Sequence, residues 1–598
     1  VSNPGAEYGG EVRCVVRIRT VKRQGDGFSY ALTSQAQQQI YDNHDFDPSW
    51  SVLDLNYRTG GLDFIGKIVY YNQHSYQISD QMSGNTFVKM PDGSVKHNLM
   101  EGPFAFIGHN SGISGDLGLN WQINENHSLG MKMNYGGMLF GNQDIVFEDN
   151  VYANDELIDI VHSTSHTTTP SSHTFTGNIY YDGNINKLHV NFNADFSDSG
   201  YKKETNVNEN SQNDPAFIEN LSDGVARMGA GKLVLSYPIW KGMFKIGTEE
   251  TYVSAKQEYN STKTEIPSSK AKIAENNISG FAEYALPFKY VQVVAGIRYE
   301  HVNFEYTNEC SPKDNISRTH NNWFPSFNAS TKIGPVGINL GYTTKIKRPR
   351  YDQLSTELQY NNRFLYQTGD PTLLNEIQNT LSLNANWRWL TLTGAYEVVD
   401  NAIYQLGYPY DDDCTAMVKY SNAKETVRKL NIYLNASPTV GIWNPRYTVG
   451  MEKQYFETTV IDPRESTGTR VVKRNDPMFF VQANNSFKLK QGWLIDLDYQ
   501  YTSPFDYVMY KFTKPKHGLN LAVSKSFLKH DALNVRLAWN DILNKTKEHV
   551  CTDYGNFIHN QNNDYYSPSI QLRLSYRFNT ANSKYKGTGA GADAKSRM

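Results

Sequence analysis

Apolar and polar residues alternate along most of this chain, and the alternation is clearest near its end. Ile570, Leu572, Leu574, Tyr576 and Phe578 share one parity, while Gln571, Arg573, Ser575 and Arg577 share the other. A period of two places the two sets on opposite faces of a β-strand. One face meets lipid or a core, and the other meets water. Segments of this kind recur through all 598 residues. No run of about 18 apolar residues occurs, which excludes a helical membrane protein. The pattern predicts an all-β fold: a large transmembrane antiparallel barrel with an apolar outer band and a polar lumen.

Turn signals sort the segments into hairpins. Tight connections stand at 58–61, 123–126, 182–186, 238–242, 286–289, 333–336, 386–389, 437–444, 490–492 and 527–531. Between them lie long polar stretches rich in Asn, Ser, Asp and Thr, at about 74–110, 138–172, 198–224, 257–273, 307–320, 349–375, 457–475 and 543–565. The tight turns pair the strands two by two, and one further strand at each end gives roughly 22, with short periplasmic turns and long extracellular loops. That number belongs to the class of plugged transporters rather than to porins of roughly 16–18 strands.

Composition agrees with a wet-centred barrel. Aromatics make up 13% of the chain, with 40 Tyr and 28 Phe, yet all hydrophobics together reach only 39%. A barrel needs apolar residues on one face only, and aromatic girdles take up tyrosine. The net charge of −3 gives no support to a nucleic-acid partner. Val1 opens directly on a Gly-rich segment without a leader pattern, as expected of a processed or truncated chain.

Several segments resemble the TonB-dependent receptor family, in particular its shorter Bacteroidetes-type members. Asn3-Pro4-Gly5-Ala6-Glu7-Tyr8-Gly9-Gly10-Glu11-Val12, followed by Val16-Arg17-Ile18-Arg19-Thr20, is similar to the closing strand of that family's plug domain. Lys347-Arg348-Pro349-Arg350-Tyr351-Asp352-Gln353-Leu354, then Gly369-Asp370-Pro371-Thr372-Leu373 and Glu376, resembles its R-P … G-N/D-P-x-L-x-x-E signature. Ala295-Gly296-Ile297-Arg298-Tyr299-Glu300, Trp323-Phe324-Pro325-Ser326 and Trp539-Asn540-Asp541-Ile542-Leu543-Asn544 match further, as does the Lys- and Gly-rich tail from Ser583 to Gly591. The matches fall in order along the whole chain.

The resemblance implies a plug remnant at 1–23, a transmembrane barrel at 24–579 and a polar periplasmic tail at 580–598. It also implies a bacterial outer-membrane receptor, not an enzyme, that binds a scarce nutrient through its extracellular loops and imports it. Outer-membrane lipid, the TonB complex acting through a plug segment that this chain lacks, and a surface lipoprotein are the implied partners. Siderophore, haem, cobalamin, oligosaccharide and peptide all stay open as ligands. Two other readings stand beside it: a passive or structural porin-like barrel, and a secreted soluble glycan-binding β-protein.

No catalytic constellation and no cofactor or metal site emerges. His162, His166 and His173 fall in a Ser/Thr-rich stretch that reads as a surface loop with incidental histidines rather than a metal or haem site. Asp411, Asp412 and Asp413 read as a solvated loop, since no calcium-loop spacing surrounds them. Lys345, Lys347, Arg348 and Arg350 are candidates for anionic headgroups or an anionic ligand, with a structural role favoured where a strand enters a loop. Cys14 lies in the plug-like strand. Cys310, Cys414 and Cys551 lie in segments expected outside, where one disulfide or three free thiols are equally open. Loop Tyr, Trp and Asn are read mostly as interfacial anchors and name no ligand-binding residue.

Overall fold

A computed structural model of the protein describes residues 5–12, 26–40, 47–410, 415–565, 567–579 and 586–598. Twenty-two antiparallel strands close into a barrel. The seam joins the first strand, Gly27–Gln39, to the last, Ser569–Phe578, in an unbroken register from Tyr30↔Phe578 to Gln39↔Ser569. Closure at this seam leaves the wall without a free sheet edge, which is what lets strands cross lipid. All ten tight turns read from the sequence connect neighbouring wall strands.

The outward parity is the apolar one. Leu574 is 44% exposed and Leu117 is 72% exposed, with Ile246, Leu340, Leu392, Leu434 and Leu537 also projecting outward. On the seam Leu32 faces Tyr576 and Tyr576 faces Leu533, so one apolar row runs across three strands. Near the short-turn rim the Tyr30 ring stacks on Phe578 at 5.4 Å, part of an aromatic girdle.

The wall is taller on one side. Leu62–Lys89, Val95–Asn124, His127–Ala153 and Glu156–Ile185 run for 27 to 30 residues, where a spanning strand needs roughly 9–11. The polar stretches expected as loops at 74–110, 138–172 and 198–224 are thus largely strand, joined by short tips. Asn154 and Asp155, at φ 48° and 69°, make one such tip, the left-handed pair that a two-residue hairpin turn requires. Above the membrane neither face must be apolar, so alternation fades while backbone pairing continues. On the low side, hairpins from Phe505–Tyr507 to Phe557–Asp564 add an outer rim that reaches the tall wall at Ile78↔Asp564.

The C-terminal segment departs from the expected periplasmic tail. Residues 586–598 lie against the inner wall: Ala590 and Ala594 are buried, and the Thr588 and Gly589 N–H groups donate to Asn193 Oδ1. Gly591 sits at φ 64°, and a Cβ there would meet Met228 Sδ and Ala230 Cβ at 2.8 Å. Of the segment read as a plug remnant, 5–12 is described and forms turns; Cys14 and the strand expected at Val16–Thr20 lie outside the described residues, as do Asp411–Cys414.

Candidate functional site

Two chain segments leave the wall and turn inward across the extracellular half of the lumen. The first begins after the strand Val336–Lys347. Pro349 holds Arg348 out of helical geometry, and one short turn, Tyr351–Leu354, follows, with Gln353 Oε1 accepting the Arg350 N–H at 3.0 Å. Tyr351, Leu354 and Leu373 pack on Met228, Val253, Ile273, Phe304 and Tyr306, all buried. The five are apolar residues at inward positions of the wall, covered there by the inward segment.

The R-P … G-D-P-x-L-x-x-E signature is the device that makes this inward fold. Arg348 is buried and its guanidinium bonds Glu300. Gly369 passes so close to the turn that a Cβ would lie 2.3 Å from Gln353 O, and its N–H donates to Ser355 O. Asp370 accepts the Thr372 N–H at 2.8 Å and pairs with Lys419 at 2.9 Å. Glu376 Oε1 accepts the Ile403 N–H at 2.7 Å and Lys347 Nζ at 3.1 Å. The signature thereby ties the first inward segment to the second.

Together the two segments build a four-stranded sheet: Gln359–Asn362, Leu365–Thr368, Ala416–Asn422 and Ile403–Pro409. It bridges the lumen. At one end Tyr360 Oη donates to Glu209 at 2.8 Å, and Arg363 pairs with Glu209 and Asp159 at 3.2 Å each. At the other, Tyr404 and Thr458 hydroxyls meet at 2.6 Å, and the Gly407 N–H donates to Tyr554 O. Val418 and Ala416 are buried against Phe456, Val460, Met509 and Phe557.

Two cavities flank the sheet. One, of about 420 Å³, lies between it and the tall wall, with Tyr201 and Tyr259 on the wall and Tyr360 and Tyr420 on the sheet. The other, of about 270 Å³, is lined by Met82, Met100, Phe104, Phe147, Phe364 and Phe557, with Asp149 and His559 among them. Burial pushes the Asp149 carboxyl up to about 7, helped by the Glu209 charge, and holds the His559 imidazole down to about 4. Burial likewise raises Glu357 in the first cavity to about 7. Both volumes are near the scale of small-ligand sites, roughly 300–1,000 Å³.

Deeper in the lumen a buried ion network joins wall, N-terminal segment and C-terminal segment. Arg298 donates to Glu300 at 2.6 Å and Glu249 at 2.9 Å. The Gly10 and Arg348 N–H groups donate to Glu300 and Glu11 at 3.2 and 2.7 Å. Asp593 accepts the Glu11 N–H at 3.3 Å, and Arg597 forks onto Glu275. Each charge has an opposite partner, the condition under which burial is tolerated.

The residues singled out from sequence are only partly brought together. His162, His166 and His173 sit on one long strand, each beside a different carboxylate: Glu148 at 3.4 Å, Asp144 at 2.5 Å and Asp198 at 3.0 Å. Among the described residues no cluster of three or more His, Cys, Asp or Glu is placed to hold a metal. Of the basic cluster, Arg348 points into the lumen, Lys345 is buried, and Lys347 and Arg350 pair with Glu376 and Asp352, so none is presented to lipid headgroups as a free charge. Cys310 is exposed and Cys551 half-buried, both as free thiols. Tyr201, Tyr259, Tyr360 and Gln257 carried no recognisable motif. The available signal was inward parity at the top of a strand.

Comparison with known proteins places the chain. A sequence family described as "Outer membrane protein beta-barrel family" matches residues 182–576. No curated protein matches by sequence. Among solved structures, the copper transporter OprC is similar over 94% of this chain and 84% of its own, at 11% identity and a TM-score of 0.63. The FrpB iron transporter from Neisseria meningitidis is similar over 93% and 83%, at 11% identity and 0.58. The ferric enterobactin receptor PfeA from Pseudomonas aeruginosa is similar over 93% and 82%, at 12% identity and 0.55. The fold is thus shared with these transporters and this receptor. The chain belongs to the outer membrane protein beta-barrel family and is an outer-membrane protein.

Proposed function

We propose that this member of the outer membrane protein beta-barrel family is a TonB-dependent receptor that captures a scarce nutrient at its extracellular face and imports it into the periplasm. The observation that carries the reading is the sheet bridging the lumen, with a cavity on each side of it. A passive pore of roughly 22 strands has a lumen wider than its own inward side chains fill. Here two wall loops are committed to crossing that lumen, anchored at both ends by hydrogen bonds and ion pairs. Such an arrangement supports selective capture over free diffusion. The chemistry is non-covalent: bind, release, pass. The solved receptors and transporters with this fold, among them the OprC copper transporter and the FrpB iron transporter, give the reading its second support.

The test is energy coupling. The complete gene product in outer membranes should crosslink to TonB and should show no steady conductance in planar bilayers. A persistent open-pore current without a TonB crosslink would overturn this reading in favour of a porin-like barrel.

A further inference from the structure

The larger cavity carries more information than its size. Its lining holds four tyrosines and six carboxamide side chains, but one lysine and two carboxylates. The tyrosines stand on two sides: Tyr201 and Tyr259 on the wall strands Leu188–Ser211 and Gly242–Ser261, Tyr360 and Tyr420 on the bridging sheet.

The charges are largely spoken for. Asp352 is gripped by Arg350 through Nε at 2.9 Å and Nη2 at 2.7 Å. Glu357 accepts Gln359 Nε2 at 3.2 Å, and burial raises its pKa to about 7, so near neutrality it carries a partial charge only. Lys203 lies 5.6 Å from the centroid of the Tyr201 ring. An anionic metal chelate would require a surplus of Arg and Lys here, and the lining has none. Several polar groups satisfy one another, as Tyr259 Oη does with Asn220 at 3.0 Å and Thr167 with Thr205 at 2.9 Å. Gln257 Oε1, by contrast, is buried without a hydrogen-bond partner, and such an atom normally finds one.

We propose that this cavity binds a neutral, hydroxyl-rich ligand, an oligosaccharide, which rests on the nutrient-receptor reading and gives its substrate class. A pyranose ring has an apolar C–H face and a rim of hydroxyls. Tyrosine rings take the face, supplying large rigid area with a polar tip, and carboxamides serve the rim because each both donates and accepts. Gln257 Oε1 accepts a hydrogen bond from a hydroxyl of the bound sugar. Tyr201 supplies a ring from the wall side.

Binding to the purified full chain in detergent tests this without any energy coupling. Isothermal titration with maltohexaose, cellohexaose, mannohexaose, xylohexaose and laminarihexaose should find at least one with a submillimolar Kd. Tyr201→Ala and Gln257→Ala should each weaken that Kd at least tenfold, while Tyr201→Phe retains it. Unchanged heat-dependent gel mobility shows that each variant is a folded barrel. The proposal is overturned if none of the five binds, if both alanine variants bind as well as the parent, or if a ferric catecholate or an uncharged hexapeptide is the probe whose binding those substitutions remove. A protein that binds glycan but shows no TonB dependence overturns the transport reading alone.

Discussion

Arg597, the penultimate residue, forks onto the carboxylate of Glu275 inside the barrel, with Nη1 3.0 Å from Oε2 and both side chains about 5% exposed. The Arg597 guanidinium also lies 5.1 Å from the Tyr351 ring, so the end of the chain touches the inward loop that builds the bridging sheet. A segment that reads as a polar tail is instead part of the lumen's packing.

Breaking a buried ion pair by removing one partner costs about 3–5 kcal/mol, because the other charge is left alone. Glu275→Ala should therefore undock the C-terminal segment. With the four natural cysteines replaced by serine, an Ala594→Cys variant should resist maleimide labelling in the parent, since Ala594 is 3% exposed. It should label readily once Glu275→Ala is added. Equal protection in both would mean the pair does not hold the segment.

The lipid face is tested on the last strand. Leu574→Arg places a charge in the apolar band, at roughly 2–4 kcal/mol near mid-depth. Ser575→Arg turns inward and loses the hydrogen bond from Thr33 Oγ1, at 3.1 Å, worth about 1 kcal/mol. Folding yield into lipid bilayers should fall sharply for the first and little for the second. A one-residue register slip would exchange the two results.

Sidedness is tested at two turns. An epitope tag inserted between Asn154 and Asp155, at the tip of the tall wall, should bind antibody on intact cells. A tag at 124–126, where Asn124 Oδ1 accepts the Asn126 and His127 N–H groups, should react only after the outer membrane is opened.

Asp149 gives the extracellular half a pH dependence. Its folded pKa, about 7, stands above the value of about 3.9 expected when unfolded. The folded state thus binds the extra proton, and stability declines as pH rises from about 4 to about 7, then levels off. Asp149→Asn, which removes a charge whose Oδ1 is buried without a partner, should raise the denaturation midpoint at pH 8. It should also shrink the difference between pH 5 and pH 8.

Within the band that crosses lipid, the amino-acid sequence by itself determined the strands, their number, the ten tight turns and the outward face. The reason is local: lipid demands an apolar residue at every second position, so the parity of Leu572, Leu574 and Tyr576 is written in neighbouring letters. Above that band the demand lapses. The stretches around 74–110 and 138–172 lose their alternation and read as loops, and only strand pairing over long sequence separations shows them to be wall.

The lumen was legible least. Arg348, Gly369 and Glu376 stood out as a signature, but their task depends on Glu300, Gln353 and Ile403, brought near by the closed barrel. Val253, Ile273 and Phe304 sit at inward positions where a wet barrel predicts polar residues. They are apolar because Tyr351, Leu354 and Leu373 cover them. The cavity's Tyr201, Gln257 and Tyr360 come from three separate strands. Inward parity says that they face the centre of the barrel. Only barrel closure, which converts distance along the chain into contact across the lumen, decides which of them share a site.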